Sequence, residues 1–316
     1  MSIKKAVITA AARGGRLYPV SDTVQKAMLP IVDRDGITKP VIQVIAEEAL
    51  SGGVEEICIV CAPGDEARYL EAFRSLAKNL SSKENKRDWS EIQLKKIKDL
   101  LDRLHFRVQE ETLGYGHAVL CAEDYVKDDS FLLLLGDHLY VSDMEEMGCA
   151  QQLISLAEQE GGSVSAVNET PEYLIGKYGT LSGKLLPHKE GVYQVETILE
   201  KPSLSKAELL LQMPGLRLGY YLCIFGMHVL DGGIIKLLQE GFDTRKSEKE
   251  ELMLTPSLQS LAEQGSYLAL DMKGRRYDLS SGYGLFQAQL ALGLAGIEKN
   301  EMLSKLVHLL AEDQRK

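Results

Sequence analysis

Phe131-Leu132-Leu133-Leu134-Leu135 is an unbroken apolar run closed by Gly136-Asp137. Side chains on a strand alternate between its two faces, so a run with no polar position must be covered on both. It therefore reads as a central strand of a parallel sheet with helices on either side. The flanking chain supplies matching elements. Residues 5–11 are a short apolar run ending in a Gly/Arg loop. Residues 41–50 carry Val41, Ile42, Val44, Ile45 and Ala49 at helical spacing and stop at Gly52-Gly53. Residues 54–61 are β-rich, 65–78 and 90–104 are helical in pattern, 105–109 read as a strand and 116–126 as a helix. The alternation predicts an α/β fold with a Rossmann-like, mixed but mostly parallel sheet and helices on both faces. Right-handed crossovers then bring the loops after residues 11, 61, 109 and 135 to one edge, where open α/β sheets bind ligands.

The second half is less regular. Helices are expected at 144–159, 229–239, 250–263 and 284–313. Strands are expected at 163–168, 178–183, 193–199, 218–226 and 266–272. No internal repeat or low-complexity linker divides the chain, so 1–316 reads as a single unit. Its parts are about 1–140, 141–283 and a helical 284–316.

The net charge of −10 gives no footprint for wrapping nucleic acid, so an anionic ligand has to be met by a local basic cluster. The cysteines are five, Cys58, Cys61, Cys121, Cys149 and Cys223, an odd number that suggests free thiols in a reducing compartment. Cys58 and Cys61 lie three apart on a predicted strand and point to opposite faces, which argues against a metal or redox pair. Residues 6–12 follow Lys4-Lys5 like a short signal sequence, but Arg13 and Arg16 come at once, and a first β-strand is the better reading. No apolar stretch approaches the ~20 residues that span a bilayer. The expected location is the cytoplasm, with no membrane partner.

Six segments carry candidate chemistry. The loop after the first strand reads Ala10-Ala11-Ala12-Arg13-Gly14-Gly15-Arg16, and Lys26 follows ten residues later. Glycine backbone admits phosphate oxygens closely, and the two cations neutralise phosphate charge. Taken alone, the bare loop reads better as a tight turn with solvated arginines. It is neither a Walker A loop nor a G-x-G-x-x-G fingerprint. Asp137 ends the central strand, where a carboxylate calls for a partner such as a divalent cation; capping of the next turn is the alternative. His138 reads as a residue beside the ligands. Gln109 closes another strand and can read a base edge, with Gly114 leaving room for it. Tyr178-Gly179, Glu200-Lys201-Pro202 and Arg276-Tyr277-Asp278 complete the set.

In order and spacing, these segments resemble the bacterial UTP–glucose-1-phosphate uridylyltransferases within the sugar nucleotidylyltransferase family. The likeness runs from about Lys5 to Ala288. Leu113-Gly114-Tyr115-Gly116-His117-Ala118-Val119-Leu120-Cys121 lies beside the family's G-L-G-H-A-V-L-C. Met28-Leu29-Pro30-Ile31-Val32-Asp33 matches M-L-P-(I/L)-V-D, and Glu200-Lys201-Pro202 matches E-K-P. Glu251-Leu252-Met253-Leu254-Thr255 approximates E-I-Q-L-T, and Met272-Lys273-Gly274 with Asp278 matches the last segment.

The resemblance implies transfer of a uridylyl group from UTP to glucose 1-phosphate, with Mg²⁺. It assigns residues 1–140 to the nucleotide and 141–283 to the sugar. Arg16 and Lys26 would hold the triphosphate, with Ala11, Ala12, Gly14 and Gly15 in the loop around it. Gln109 and Gly114 would meet the base. Asp137 and Asp278 would bind the metal. Lys201 would contact the sugar phosphate, with Glu200, Gly179 and Tyr221 lining the sugar side. It also suggests a homodimer or homotetramer, and the apolar segment Leu303 to Ala311 would pack on a partner subunit or cover its own sheet.

The pattern departs from the family at several positions. Ala12 replaces a Gly, which would cost roughly 1–2 kcal/mol if φ must be positive there. Gly15 replaces Thr, Ala27 replaces Glu, Tyr221 replaces Asn and Pro256 replaces Asp. Ser280 and Gly282 replace a Gly and a Lys. Three readings follow. The first is an active uridylyltransferase. The second is a nucleotidylyltransferase for another sugar 1-phosphate or nucleotide. The third is a catalytically weak regulatory or nucleotide-sugar-binding paralogue.

Overall fold

The computed structural model describes residues 2–12, 19, 23–82 and 88–313. In chain order the first half contains β1 (Lys5–Thr9), β2 (Pro30–Val32), β3 (Thr38–Pro40), α1 (Val41–Ser51), β4 (Glu56–Cys61), α2 (Asp65–Leu80), α3 (Asp88–Arg103), β5 (Leu104–Val108), α4 (Tyr115–Leu120), α5 (Glu123–Val126), β6 (Phe131–Leu135) and β7 (His138–Ser142). The second half continues with α6 (Cys149–Glu160), β8 (Ser163–Pro171), β9 (Thr180–Leu185), β10 (Val192–Leu199), α7 (Leu204–Leu210), β11 (Tyr220–Leu230), α8 (Ile234–Asp243), α9 (Thr255–Glu263), β12 (Tyr267–Asp271), β13 (Gly274–Asp278), α10 (Gly284–Ala295) and α11 (Lys299–Asp313).

Among the described residues, nine strands form one sheet in the order β5-β4-β1-β6-β11-β8-β12-β10-β9. β1 is parallel to both β4 and β6, with Val7 opposite Cys58 on one side and Leu133 on the other. β11 and β10 run against their neighbours, so the sheet is mixed. The expected architecture is observed, and the apolar run at 131–135 is β6, with Phe131 to Leu134 fully buried.

The two faces of β6 feed two cores. Leu132 and Leu134 pack with α1, α2, α3 and α6, whereas Phe131 and Leu133 pack with α4, α8 and α9. Cys58 and Cys61 fall into different cores, as their spacing requires, and burial pushes both thiols up to about 12. Inert, separated thiols exclude a redox or metal pair at this motif.

β11 comes from the second half yet lies between β6 and β8. It runs to Leu230, past the end expected at 226, and the helix expected at 229 begins only at Ile234. The cause is a bulge. The pairing with β8 shifts between Ile224 and His228, and Gly226 there has φ +83°, a left-handed conformation open to glycine. The extra residues let the strand carry on beside β6. The helix expected at 250–263 also starts late, at Thr255, with Pro256 in its first turn, where a missing N–H costs nothing. Two ribbons went unread in the sequence, β2 with β3 and β7 with β13, and so did α7.

His228 on β11 is buried beside Ser165 of β8. The Tyr267 hydroxyl donates to Ser165 Oγ at 2.5 Å, and the Ser165 hydroxyl donates to His228 Nδ1. Burial pushes the imidazole down to about 3 from 6.5. An unfolded chain takes up this proton near pH 6.5, whereas the folded chain resists until about pH 3. Stability therefore falls as pH drops through that window, by up to ~5 kcal/mol. His228→Asn keeps an acceptor toward Ser165 but cannot charge. Its Tm should vary less between pH 6.5 and 4 than that of the parent; an unchanged slope would discard this account.

Candidate active site

The carboxyl ends of β1, β4, β5 and β6 meet over a cavity of about 350 Å³. Thr9, Ala10, Ala11 and Ala12 enter it from β1, Asp65 and Arg68 from the start of α2, and Gln109 from the end of β5. Leu135, Gly136 and Asp137 close it behind β6, and Lys26, Gly114, Tyr115 and Glu251 complete the wall. This is the edge the crossover argument selected. Ala12 is not left-handed, so the alanine carries none of the conditional strain. Arg16, Gly14 and Gly15 lie outside the described residues.

Lys26 sits in a short 3₁₀ turn, Lys26–Met28, and is 9% exposed. Its Nζ lies 2.7 Å from Asp137 Oδ2. On the other oxygen, His138 Nδ1 donates to Asp137 Oδ1 at 2.9 Å. Burial alone would raise the Asp137 carboxyl, but the His138 hydrogen bond and charge, with the Lys26 ammonium, hold it well below the usual carboxylate range. It is an anion at any working pH.

Asp278 arrives through the β7–β13 ribbon. The antiparallel register sets it directly opposite His138, and the Leu279 N–H donates to the Asp137 carbonyl at 2.9 Å. Donor atoms of Asp137, His138 and Asp278 all lie within 4.8 Å of one another. Ser280, one of the departures, turns both its N–H and its hydroxyl onto Asp278 Oδ1, at 2.8 and 2.6 Å, and so orients the carboxylate. Two oxygen-donor carboxylates at this spacing, beside a cavity with a buried lysine, fit a hard divalent cation.

Gln109 is 4% exposed at the end of β5. Its Nε2 is 3.1 Å from the Gly114 carbonyl and 3.0 Å from His117 Nδ1. Gly114 has φ +101°, and a Cβ there would lie 2.6 Å from the Leu252 carbonyl. The reason is a strap. Leu252 N–H donates to Leu113 O at 2.7 Å and Gly116 N–H donates to Leu252 O at 2.8 Å, which fastens residues 251–253 over the 113–116 turn.

The expected sugar side lies along β9 and β10. A Cβ on Gly179 would be 3.5 Å from Glu200 Oε2 and 3.1 Å from Ile224, so this glycine keeps the carboxylate uncovered. Thr255 Oγ1 donates to Glu200 Oε2 at 2.5 Å, and Lys201 Nζ pairs with Glu200 Oε1 at 3.1 Å. Lys201 has φ +44°, an unusual conformation for lysine, held by its N–H bond to the Tyr178 carbonyl. Tyr221 is the exception to the grouping. It is 3% exposed and packs among Ile175, Ala207, Leu211 and Cys223 under α7, because alternation on β11 turns it to that face. It is placed as a core residue, which its apolar neighbours on β11 signal in the sequence.

Several wall residues carried no signal strong enough to single them out. Asp65 and Arg68 follow a predicted sheet-edge loop, where a functional reading was available but undirected. Glu251 reaches the cavity only because the strap crosses from the second half.

The nucleotidyl transferase family profile matches residues 5–292, most of the chain. The chain belongs to the nucleotidyl transferase family. Within it, the chain is 32% identical over 312 residues to UTP–glucose-1-phosphate uridylyltransferase YngB of Bacillus subtilis, covering 98% of this chain and 95% of that protein. It is 31% identical over 288 residues to the Pseudomonas aeruginosa UTP–glucose-1-phosphate uridylyltransferase, covering 90% and 94%. Among solved structures, it superposes with TM-score 0.72 on a UDP-glucose pyrophosphorylase complexed with UDP-glucose, at 30% identity over 92% of this chain and 98% of the other. As a nucleotidyl transferase the chain is an enzyme, and the carboxylate cluster and cavity sit in its family-matched region. No described helix is long and apolar enough to cross a membrane.

Proposed function

We propose that the protein transfers the uridylyl group of UTP to glucose 1-phosphate, yielding UDP-glucose and pyrophosphate. The carrying observation is that Lys26 and Asp137 line the cavity as an ion pair, with an Asp278 carboxylate oxygen within 4.8 Å of Asp137's. Relatives that share 32% and 31% identity over nearly the whole chain bear this activity in their names.

The metal in this reading is Mg²⁺, held by the Asp137 and Asp278 carboxylates. When bound, it supplies charge to the α-phosphate and the departing pyrophosphate. The chain's own residues do the rest. Lys26, whose ammonium stands 2.7 Å from Asp137 Oδ2, would meet the triphosphate, joined by Arg16. Gln109 and Gly114 hold the base. Lys201 meets the phosphate of glucose 1-phosphate, and Glu200 with Gly179 receives the sugar. A phosphate oxygen attacks the α-phosphorus in line: one P–O bond forms as the bond to pyrophosphate breaks. That oxygen is already ionised, so no general base is needed. Positioning and charge carry the rate.

The cytoplasm supplies UTP and suits five free cysteines. A homodimer or homotetramer is supported by α11, whose Val307, Leu309 and Leu310 are 64%, 64% and 68% exposed and do not cover this subunit's own sheet.

The test is pyrophosphate release across a panel of nucleoside triphosphates and sugar 1-phosphates with Mg²⁺. UTP with glucose 1-phosphate should be the fastest pair. Turnover with none of them would leave the binding or regulatory reading. Lys201→Met should raise KM for glucose 1-phosphate by about tenfold or more, the loss of one charge-assisted contact, while KM for UTP stays near the parent's. Equal changes in both KM values would remove Lys201 from the sugar phosphate.

A further inference from the structure

The side chain given the base-reading role is not free to choose its own orientation. A carbonyl can only accept, so the Gln109 atom facing Gly114 O at 3.1 Å is the amide nitrogen. That nitrogen has no acceptor capacity, so at 3.0 Å from His117 Nδ1 it donates there too. Both amide hydrogens are then spent within the protein. His117 must present a bare Nδ1 and carry its proton on Nε2, which faces Cys121 Sγ at 3.9 Å. Its ring stacks on Phe242 at 5.4 Å and 14°, and Arg245 covers Phe242 at 3.7 Å. Burial lowers the imidazole's affinity for a second proton; the Glu111 carbonyl opposes this and the Arg245 charge adds to it.

We infer that His117 is a positioning residue for base specificity, one that locks Gln109 so that only its Oε1 acceptor is offered to the base. This rests on the reading that Gln109 meets the base. An unlocked glutamine serves both pyrimidines. One orientation accepts from the N3–H of uracil, and the flipped one donates to the N3 of cytosine while accepting from its amino group. The locked amide keeps the first option and loses the second. It selects bases with an N–H between two carbonyls, uracil or thymine, and opposes a base that presents a bare nitrogen there. The device extends beyond the cavity wall, because Phe242 on α8 holds the His117 ring without lining the pocket.

The experiment compares kcat/KM for UTP and CTP, with glucose 1-phosphate and Mg²⁺, in the full-length protein. His117→Phe keeps a ring against Phe242 but removes the acceptor, and the UTP preference should shrink about tenfold, the worth of one hydrogen bond. His117→Asn places an oxygen near the Nδ1 position and should restore the preference. A merely structural role would lower both rates together and leave the ratio alone. Gln109→Leu separates the two layers. If it preserves the parent ratio, the base-reading role of Gln109 falls and the lock with it. If it collapses the ratio while His117→Phe preserves it, the lock alone is overturned.

Discussion

Asp137→Ala is expected to lower the rate of pyrophosphate release by ~10³-fold or more, several kcal/mol of barrier. The carboxylate is held ionised and paired at once with Lys26 and His138, and Asp278 stands within 4.8 Å of the same cluster. Removing it deletes one of two proposed metal ligands and leaves a lysine that is 9% exposed without its counter-ion. The two effects are separable. Loss of the metal ligand weakens the Mg²⁺ dependence of turnover. Loss of the counter-ion changes stability, and thermal unfolding of the same preparation reads it directly. A folded Asp137→Ala protein that turns over within tenfold of the parent would sink the two-carboxylate site.

The second large effect is Gly114→Ala. The position has φ +101°, and the added Cβ would sit 2.6 Å from the Leu252 carbonyl and 3.0 Å from the Leu252 nitrogen. Both contacts are backbone, so neither can rotate away. Either the 113–116 turn or the strap must move, breaking the paired bonds of Leu252 to Leu113 and Gly116. Strain and lost hydrogen bonds together should cost about 3 kcal/mol or more. Because Gln109 is anchored to the Gly114 carbonyl, the base site moves with the turn. UTP titration by calorimetry should show binding weakened at least ~100-fold, alongside a lowered Tm. Parent-like affinity in a destabilised protein would show that the strap holds the fold without shaping the base site.

Much of the candidate site is legible in the amino-acid sequence. Lys26, Gln109, Asp137, Glu200, Lys201 and Asp278 stand out as charged or amide residues at strand ends or in short motifs, and their order carries the family resemblance. Tyr221 shows where that route misleads. Its motif position reads as facing the sugar, yet β11 turns the ring into the small core under α7. Thr255 and Ser280 show the opposite. Thr255 makes one hydrogen bond to a carboxylate far off and Ser280 makes two to a carboxylate two residues back, a signal too slight for a lone sequence.

The sequence alone determined the layered α/β class, because an apolar run such as Phe131 to Leu135 set within alternating strand and helix patterns fits a strand covered by helices on both faces. It also determined the ligand-bearing edge, since right-handed crossovers leave no choice of edge once the strands are parallel. Only the tertiary structure decided which distant residues meet there. The β7–β13 ribbon sets Asp278 opposite His138, the bulge at Gly226 lets β11 run on beside β6, and the strap carries Glu251 to the cavity. Each depends on pairing between segments far apart in the chain. Such pairings are selected by packing and hydrogen bonding of the whole sheet, and local periodicity carries no record of them.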